Sequence, residues 1–490
     1  MNFREATFQA LQEILLSNQR DFGEIYLVGG YIRDHLLGCT SHDFDFVIKN
    51  DAIKDARIIA NHFNGAFYIL DKTRQTARAL INIEDERIVV DCTLLHPHGI
   101  LSDLRQRDFT INAMAVDLKK PDDLIDPLGG YEDLVRKRLR LCNDDSLLLD
   151  PIRIVRSVRF TQSYSLSIPP PLKEHIRETC VKLVDVSNER LRDEIINLFS
   201  IKKFIGSIEL MDELGMINFI FPEISSLKKI PPLKPHVNDA FTHTIRTINT
   251  MSELIRSVLF ENYELHDEKL FEARQVLEKY INNLKKYFLK ELTPGRTIMA
   301  LAHFAALYHD AAKSYISAVL QDGKYTFPGH AEMSAQLASQ RATTLAFSGI
   351  EVDFIQRLVA NHMIEETYFR EDKKTRDLYL YKFFKKAKLS SVAVCFLHLA
   401  DIKATYEEKL SNERWANALE CVHQVLDGWF NRYDEVVEPK KLIDGYDLIN
   451  EFGLKPSKSI GNLLETIREK QVSGEVSSKE NALEFLRRYL

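Results

Sequence analysis

Two aspartates one residue apart, Asp43 and Asp45, stand in the apolar run DFDFVI. In a strand, residues i and i+2 point to one face, so both carboxylates share a side while Phe44 and Phe46 turn into a core. Paired carboxylates are hard oxygen ligands for a cation such as Mg²⁺, which leaves other coordination positions to substrate phosphates. Upstream, Gly29 and Gly30 let a backbone approach a triphosphate closely, and Arg33 brings positive charge to it. A third carboxylate usually completes such a cluster, and Asp91, in the run RIVVDCTLL, is the candidate. The chemistry these residues suit is nucleotidyl transfer, with one ion activating an attacking hydroxyl and another stabilising the leaving pyrophosphate.

A second pattern reads bases. In DPIRIVRSVRF, Asp150 occupies an N-cap position, Pro151 the first helical position, and Arg153, Arg156 and Arg159 recur every three residues. Asp150 and Arg153 present an acceptor and a donor side by side. Cytosine and adenine each show an amino donor beside a ring-nitrogen acceptor, whereas uracil and guanine show the reverse. One carboxylate with one guanidinium therefore accepts C and A and rejects U and G.

A third pattern gathers metal ligands: His243 in FTHTIRTI, the pair His309-Asp310 in ALYHDAAKS, His330 in FPGHAE, His362 in VANHM and Asp401 in HLADIKAT. Imidazoles and carboxylates from several helices suit one divalent metal of unspecified identity, and His330 with His362 suit a second. With Lys313 following, the set resembles the HD phosphohydrolase superfamily, whose members hydrolyse phosphoesters.

The stretches GGYIRDHLLGCTSHDFDFVI, RDFTINAMA (107–115), DPLGGYEDL (126–134), DPIRIVRSVRF (150–160) and ERLRDEI (189–195) stand in the order of five motifs. Together they resemble the class II, bacterial-type tRNA nucleotidyltransferases and their poly(A) polymerase relatives. The resemblance implies an α+β chain: a polymerase-β-like head followed by an all-α neck, an HD-type body and a helical tail. It implies untemplated addition of C and A to tRNA 3′ ends from CTP and ATP, with Mg²⁺ on Asp43 and Asp45. It further implies that Arg107, Asp108 and Asn112 contact the sugar and phosphates of the incoming nucleotide. By the same resemblance Asp150 and Arg153 read the base, Gly129 and Gly130 form a hinge, and Glu189 and Arg190 brace the reading helix. The tail, DGYDLINEFGLKPSKSIG onward, resembles that of the HD-containing subset.

Two departures bear on the product. Leu149 precedes Asp150 where most relatives have glutamate, and only fifteen residues separate Asp91 from Arg107. Complete CCA-adding relatives carry a longer flexible arm there, so the reading leans to CC addition, with a separate A-adding enzyme finishing the tRNA. Poly(A) polymerase is an alternative, as is an HD phosphohydrolase whose head only binds nucleotide or RNA.

The elements that must position these groups follow from periodicity. IYLVGG, DFDFVIK, GAFYIL, ARALINI, RIVVDCTLL and INAMAVDL read as strands of a head over 1–140, after an amphipathic helix at the N-terminus. Helical periodicity then dominates a neck over 141–225, a body over 226–410 with a charged insertion near 256–296, and a tail over 411–490. The 490 residues exceed one ordinary core. Six cysteines without CxxC spacing fit reduced thiols, and no stretch approaches a membrane span, which gives a cytoplasmic expectation without a membrane partner. A net charge of −6 confines any RNA contact to a local patch. One candidate is 368–388, where Lys373, Lys374, Arg376, Lys382, Lys385, Lys386 and Lys388 alternate with aromatic residues.

Overall fold

The structure is a computed structural model that describes residues 6–17, 23–83 and 86–490. The described chain divides into two compact units, residues 1–186 with 214–216, and residues 187–213 with 217–490.

The first unit is built on a seven-stranded sheet of β1 (Ile25–Val28), β2 (Asp43–Ile48), β3 (Ala66–Asp71), β4 (Thr76–Ile83), β5 (Glu86–Leu94), β6 (Ala115–Asp117) and β7 (Leu124–Ile125). Their order across the sheet is β3-β4-β5-β2-β1-β6-β7, and β2 with β5 is the parallel pair. Each of the strand-like runs forms a strand, although INAMAVDL extends only over its second half. Thr110–Asn112 instead makes a 3₁₀ turn, because the Asn112 side chain is committed to Asp108 and Arg33 rather than to a sheet face. On β2 the expected alternation holds: Phe44 and Phe46 are buried, and Tyr31 stacks on Phe44 at 4.4 Å between centroids. The N-terminal helix runs Ala6–Ser17 and buries Phe8, Leu11, Ile14 and Leu15; the flanking residues of that expectation lie outside those described.

Of Gly129 and Gly130, the expected hinge, Gly130 is closely packed against the Thr110 backbone. Gly129 takes φ +72°, and a Cβ at Gly130 would stand 2.1 Å from the Thr110 carbonyl oxygen. The Gly130 N–H donates to Asp126 at 2.7 Å, and in the helix that begins there, Asp133 is wholly buried. Asp133 accepts from Thr110 Oγ1 (2.6 Å), Arg138 (2.6 Å) and Arg140 (3.0 Å). Burial works against its charge, but these donors prevail and hold its pKa below the ordinary value.

The second unit is helical. Every residue of the helix Ile298–Tyr308, IMALAHFAALY, is buried, as an apolar sequence without a polar stripe requires. Each large side chain buried there contributes about 1.5–3 kcal/mol. Around it pack Ala240–Leu259, Gly349–Ala360 and His330–Thr344, with Ser391–Tyr406 against the first of these. The charged insertion proves to be two amphipathic helices, Glu268–Glu278 and Ile281–Leu289, which bury Leu270, Leu277, Leu284 and Phe288 and keep their charges outward. Asn412–Phe430 buries Trp415 completely and carries Trp429 half-buried, and the last helices close around Leu448, Leu463, Ile467 and Leu486. Among the described residues no helix is long and apolar enough to cross a membrane.

Candidate active sites

In the head, sheet register does what sequence spacing alone cannot. Asp45 lies directly opposite Asp91 in the parallel β2–β5 pair, so Asp43, Asp45 and Asp91 share one face. Burial raises the pKa of Asp43 and lifts that of Asp45 to about 6; Arg107 opposes the rise at Asp45, and Asp91 and Asp43 add to it. Asp43 and Asp45, whose ionisation burial opposes, with Asp91 on the same face, are a fitting oxygen donor set for divalent cations. Arg78 forks Asp91 with two bonds of 2.8 Å, a partnership that sequence reading missed. Its only signal is the antiparallel register that sets Arg78 opposite Asp91.

β1 ends at Gly29, with φ +76°, and the helix Gly30–Leu36 begins at once. A Cβ at Gly29 would stand 3.0 Å from Arg107 Nη1 and 3.5 Å from Asp45 Oδ2, so only glycine lets the guanidinium and the carboxylate flank the backbone. Arg33 is buried and committed: it bonds Asn112 Oδ1 at 2.5 Å and Asp34 at 2.9 Å, and its guanidinium lies 4.4 Å from the centre of the Tyr164 ring. Asn112 donates to Asp108 at 3.0 Å, and Arg156 pairs with Asp108 at 2.7 Å. Although burial opposes ionisation of Asp108, Arg156, Asn112 and the Phe109 N–H hold its pKa below the ordinary value.

The reading helix runs Ile152–Tyr164, one residue later than expected; Pro151 is already in helical conformation and Asp150 extended, which is the backbone of a cap. Arg153 lies 4.0 Å from Asp150 and donates to the Gln106 carbonyl (2.9 Å), the Arg107 carbonyl (3.3 Å) and Ser146 Oγ (2.6 Å). Arg159 stacks over Phe160 at 4.4 Å. Arg33, Asn112, Asp108 and Arg156 thus form one bonded chain, and beside it Arg153, with Asp150 at 4.0 Å, bonds the Arg107 carbonyl, while Arg107 Nη1 lies next to Gly29 and Asp45.

The helical unit brings the other set together. His243, His309, Asp310 and Asp401 form one group able to hold a metal, and Asp310, His330 and His362 form a second. The shared Asp310 turns Oδ2 toward His309 Nε2 (3.2 Å) and His243 Nε2 (3.4 Å), and Oδ1 toward His330 Nε2 (3.4 Å). Asp401 Oδ1 stands 3.0 Å from His243 Nε2. His309, His330 and His362 each set Nδ1 on a backbone carbonyl, of Ala306 (2.8 Å), Phe327 (2.8 Å) and Val359 (2.7 Å). Each carbonyl accepts a hydrogen bond from Nδ1–H, which leaves Nε2 as the ligand atom. Burial holds His362 near pKa 4, hence neutral; at His309 burial is outweighed by Asp310 and Asp401, which raise it to about 10, the charge compensation a cation would otherwise supply. This donor set of imidazoles and carboxylates fits a pair of divalent metals. Lys313 Nζ reaches Asp310 at 2.6 Å and His236 at 3.2 Å, and a cavity of about 550 Å³ opens over Asp310, His330, His362 and Asp401. His236 and Arg414, which also line it, had no distinguishing spacing in the sequence.

The basic segment behaves differently from the expected phosphate grip. In the helix Lys373–Ala387, Lys374, Lys382 and Lys385 pair with Glu475 (2.6 Å), Glu469 (3.1 Å) and Glu465 (2.6 Å) of the C-terminal region. Those three charges are neutralised within the unit.

The fold and sites define a metal-dependent nucleotidyltransferase head joined to an HD-type helical domain. Residues 25–140 match the Poly A polymerase head domain, 165–228 the "Probable RNA and SrmB- binding site of polymerase A", 241–405 the HD domain, and 345–486 a tRNA nucleotidyltransferase domain 2. Taken together, these matches make the chain similar to the class II, bacterial-type tRNA nucleotidyltransferases with a C-terminal HD domain. It is 27% identical to an A-adding tRNA nucleotidyltransferase of Deinococcus radiodurans, over 94% of this chain and 95% of that one. To a CC-adding tRNA nucleotidyltransferase of Geobacter sulfurreducens it is 26% identical, over 96% and 93%. In fold it is similar to a CCA-adding enzyme solved in complex with CTP, with a TM-score of 0.59 and 21% identity over 99% of this chain and 96% of that one.

Proposed function

We propose that this protein is a template-independent tRNA 3′-terminal nucleotidyltransferase that adds C from CTP and stops at CC. The observation that carries the reading is the register of Asp45 opposite Asp91 with Asp43 on the same face, joined through Gly29 and Arg107 to the Asp150–Arg153 pair. When bound, divalent cations, for which we infer Mg²⁺ on Asp43, Asp45 and Asp91, supply charge stabilisation and hydroxyl activation for transfer to the tRNA 3′ end. The chain's own residues orient the reactants. Arg107, with Nη1 against Gly29 and Asp45, meets the triphosphate, and Asp108 and Asn112, locked by Arg156 and Arg33, shape the sugar pocket. Asp150 accepts from the base amino group while Arg153 donates to the ring nitrogen, which admits C and A.

The connection from Asp91 to Arg107 supports the CC stop. It contains the helix Ile100–Arg105, whose Ile100 and Leu104 are buried in the head core beside Leu95. A packed helix does not supply the mobile arm that switching from C to A needs, so a separate A-adding enzyme completes the end. The A-adding relative of full length favours a second reading, addition of A alone. Purified protein is incubated with tRNA ending before the first C, after one C and after CC, with CTP, with ATP and with both. Two C additions and no A support the proposal; A addition to the CC end alone establishes the second reading, and full CCA synthesis overturns both.

For the HD domain we propose hydrolysis of phosphomonoesters or cyclic phosphates, with Lys313 beside Asp310 drawing the phosphate into the cavity.

A further inference from the structure

Away from both sites, the helical unit encloses a cavity of about 740 Å³ between the helices Lys373–Ala387, Asn412–Phe430 and Lys458–Val472 and the wide π-helical turn Tyr433–Val437. Its floor is aromatic. Trp429 stands 5.7 Å from Phe384 and 5.6 Å from Tyr433 between ring centroids, and Tyr433 is 41% exposed. Its rim is cationic, with Lys388, Lys440, Lys441 and Arg468 against the single lining carboxylate of Glu438, and with Lys385 already paired to Glu465.

The contrast with the neighbouring lysines is informative. Lys374, Lys382 and Lys385 are each neutralised by a glutamate, whereas Lys388, Lys440 and Lys441 have no carboxylate within ion-pair distance among the described residues. In a chain of net charge −6, acidic groups are plentiful, so a concave surface that gathers unpaired ammonium groups from two separate segments is a local anion field. Lys388 sits at φ +48°, a backbone region that costs energy for a residue with a Cβ and that carries its side chain to this rim. Cations over exposed aromatic faces are the combination that holds an unstacked base and its phosphates. A pocket of this volume has room for one nucleotide.

We propose that this cavity binds an unpaired nucleotide of the RNA substrate, the base stacking on the exposed Tyr433 ring with Trp429 edge-on behind it and the flanking phosphates meeting Lys388, Lys440 and Lys441. The inference rests on the reading of the protein as an enzyme of RNA ends, and it assigns a second, non-catalytic anchor.

The test uses the full chain, a labelled tRNA ending before the first C and a short single-stranded RNA. The variants are the triple Lys388→Ala, Lys440→Ala, Lys441→Ala and the single Tyr433→Ala, all at exposed positions, with circular dichroism confirming that they fold. Expected are a loss of RNA affinity of about tenfold or more and a shallower salt dependence, the slope of log K against log salt falling by about 2 in the triple variant. Turnover at saturating tRNA and the KM for CTP stay at wild-type values. RNA affinity and slope unchanged in both variants overturn the proposal, as does selective loss of binding to a polyglutamate peptide, which would make the surface a protein-docking site. If wild-type protein itself binds neither RNA, the proposed function falls with it; if it binds and the variants match it, the inference alone falls.

Discussion

At the scale of single residues, the decisive groups act through their neighbours. Replacing Asp45 by Ala removes the carboxylate that Asp91 faces across the parallel strands, and nucleotide addition should fall by on the order of 10³ or more while tRNA binding stays within about twofold. Filter binding and primer extension on one preparation check this; near-normal turnover would remove the head carboxylates from the mechanism. In the HD group, His309→Ala or Asp310→Ala should empty the metal site, read as metal content after dialysis, and abolish phosphoester hydrolysis in the presence of Mg²⁺, Mn²⁺, Ni²⁺ or Co²⁺. CTP addition should persist, since the two ligand sets lie in different units. Retained metal at wild-type stoichiometry in both variants would contradict the assignment. The aspartate pair and the histidine series were legible because strand alternation and residue type declare them. Arg78 and His236 were not, because one depends on the register of two strands and the other on a contact with Lys313 across the chain.

At the scale of elements, the strand runs were readable from alternation, but the purpose of the glycines was not. The glycines at 129 and 130 were legible as a hinge from the resemblance, but the close approach of Gly130 to the Thr110 backbone and the bonds to buried Asp133 were not. A pH signature follows. The folded-state pKa of Asp133 is depressed, so its stabilisation is fully present above the unfolded-state value of about 4 and is lost as pH falls through the lower folded value. Asp133→Asn should therefore cost about 2–3 kcal/mol near neutrality, because Arg138 and Arg140 lose a charged acceptor, and the gap to wild type should narrow toward pH 3. Denaturant titrations at several pH values measure it; a gap independent of pH would show that the corner is held by packing alone. The basic segment is the opposite case. Its charge was legible, but half of its role was not, since the glutamates that answer Lys374, Lys382 and Lys385 lie some 80 to 100 residues further along the chain.

At the scale of the whole molecule, an acidic chain can handle nucleic acid because its positive charges are unevenly answered: Arg78 and Arg156 in the head and Lys374, Lys382 and Lys385 in the helical unit face carboxylates, and among the described residues Lys388, Lys440 and Lys441 at the cavity rim do not. Two compact units, each with its own core, also set how the protein comes apart. Its only two tryptophans, Trp415 and Trp429, both belong to the helical unit. Indole emission is therefore blind to the head. As denaturant is raised, fluorescence should trace the melting of the helical unit alone, whereas far-ultraviolet ellipticity sums both, so the two curves should separate wherever the units differ in stability. A head-destabilising change such as Asp133→Asn should shift the ellipticity curve and leave the emission midpoint in place. Superimposed curves for that variant would mean that the two units unfold as one cooperative body. The natural placement of two aromatic residues thus gives a built-in reporter for one half of the enzyme, with no label required.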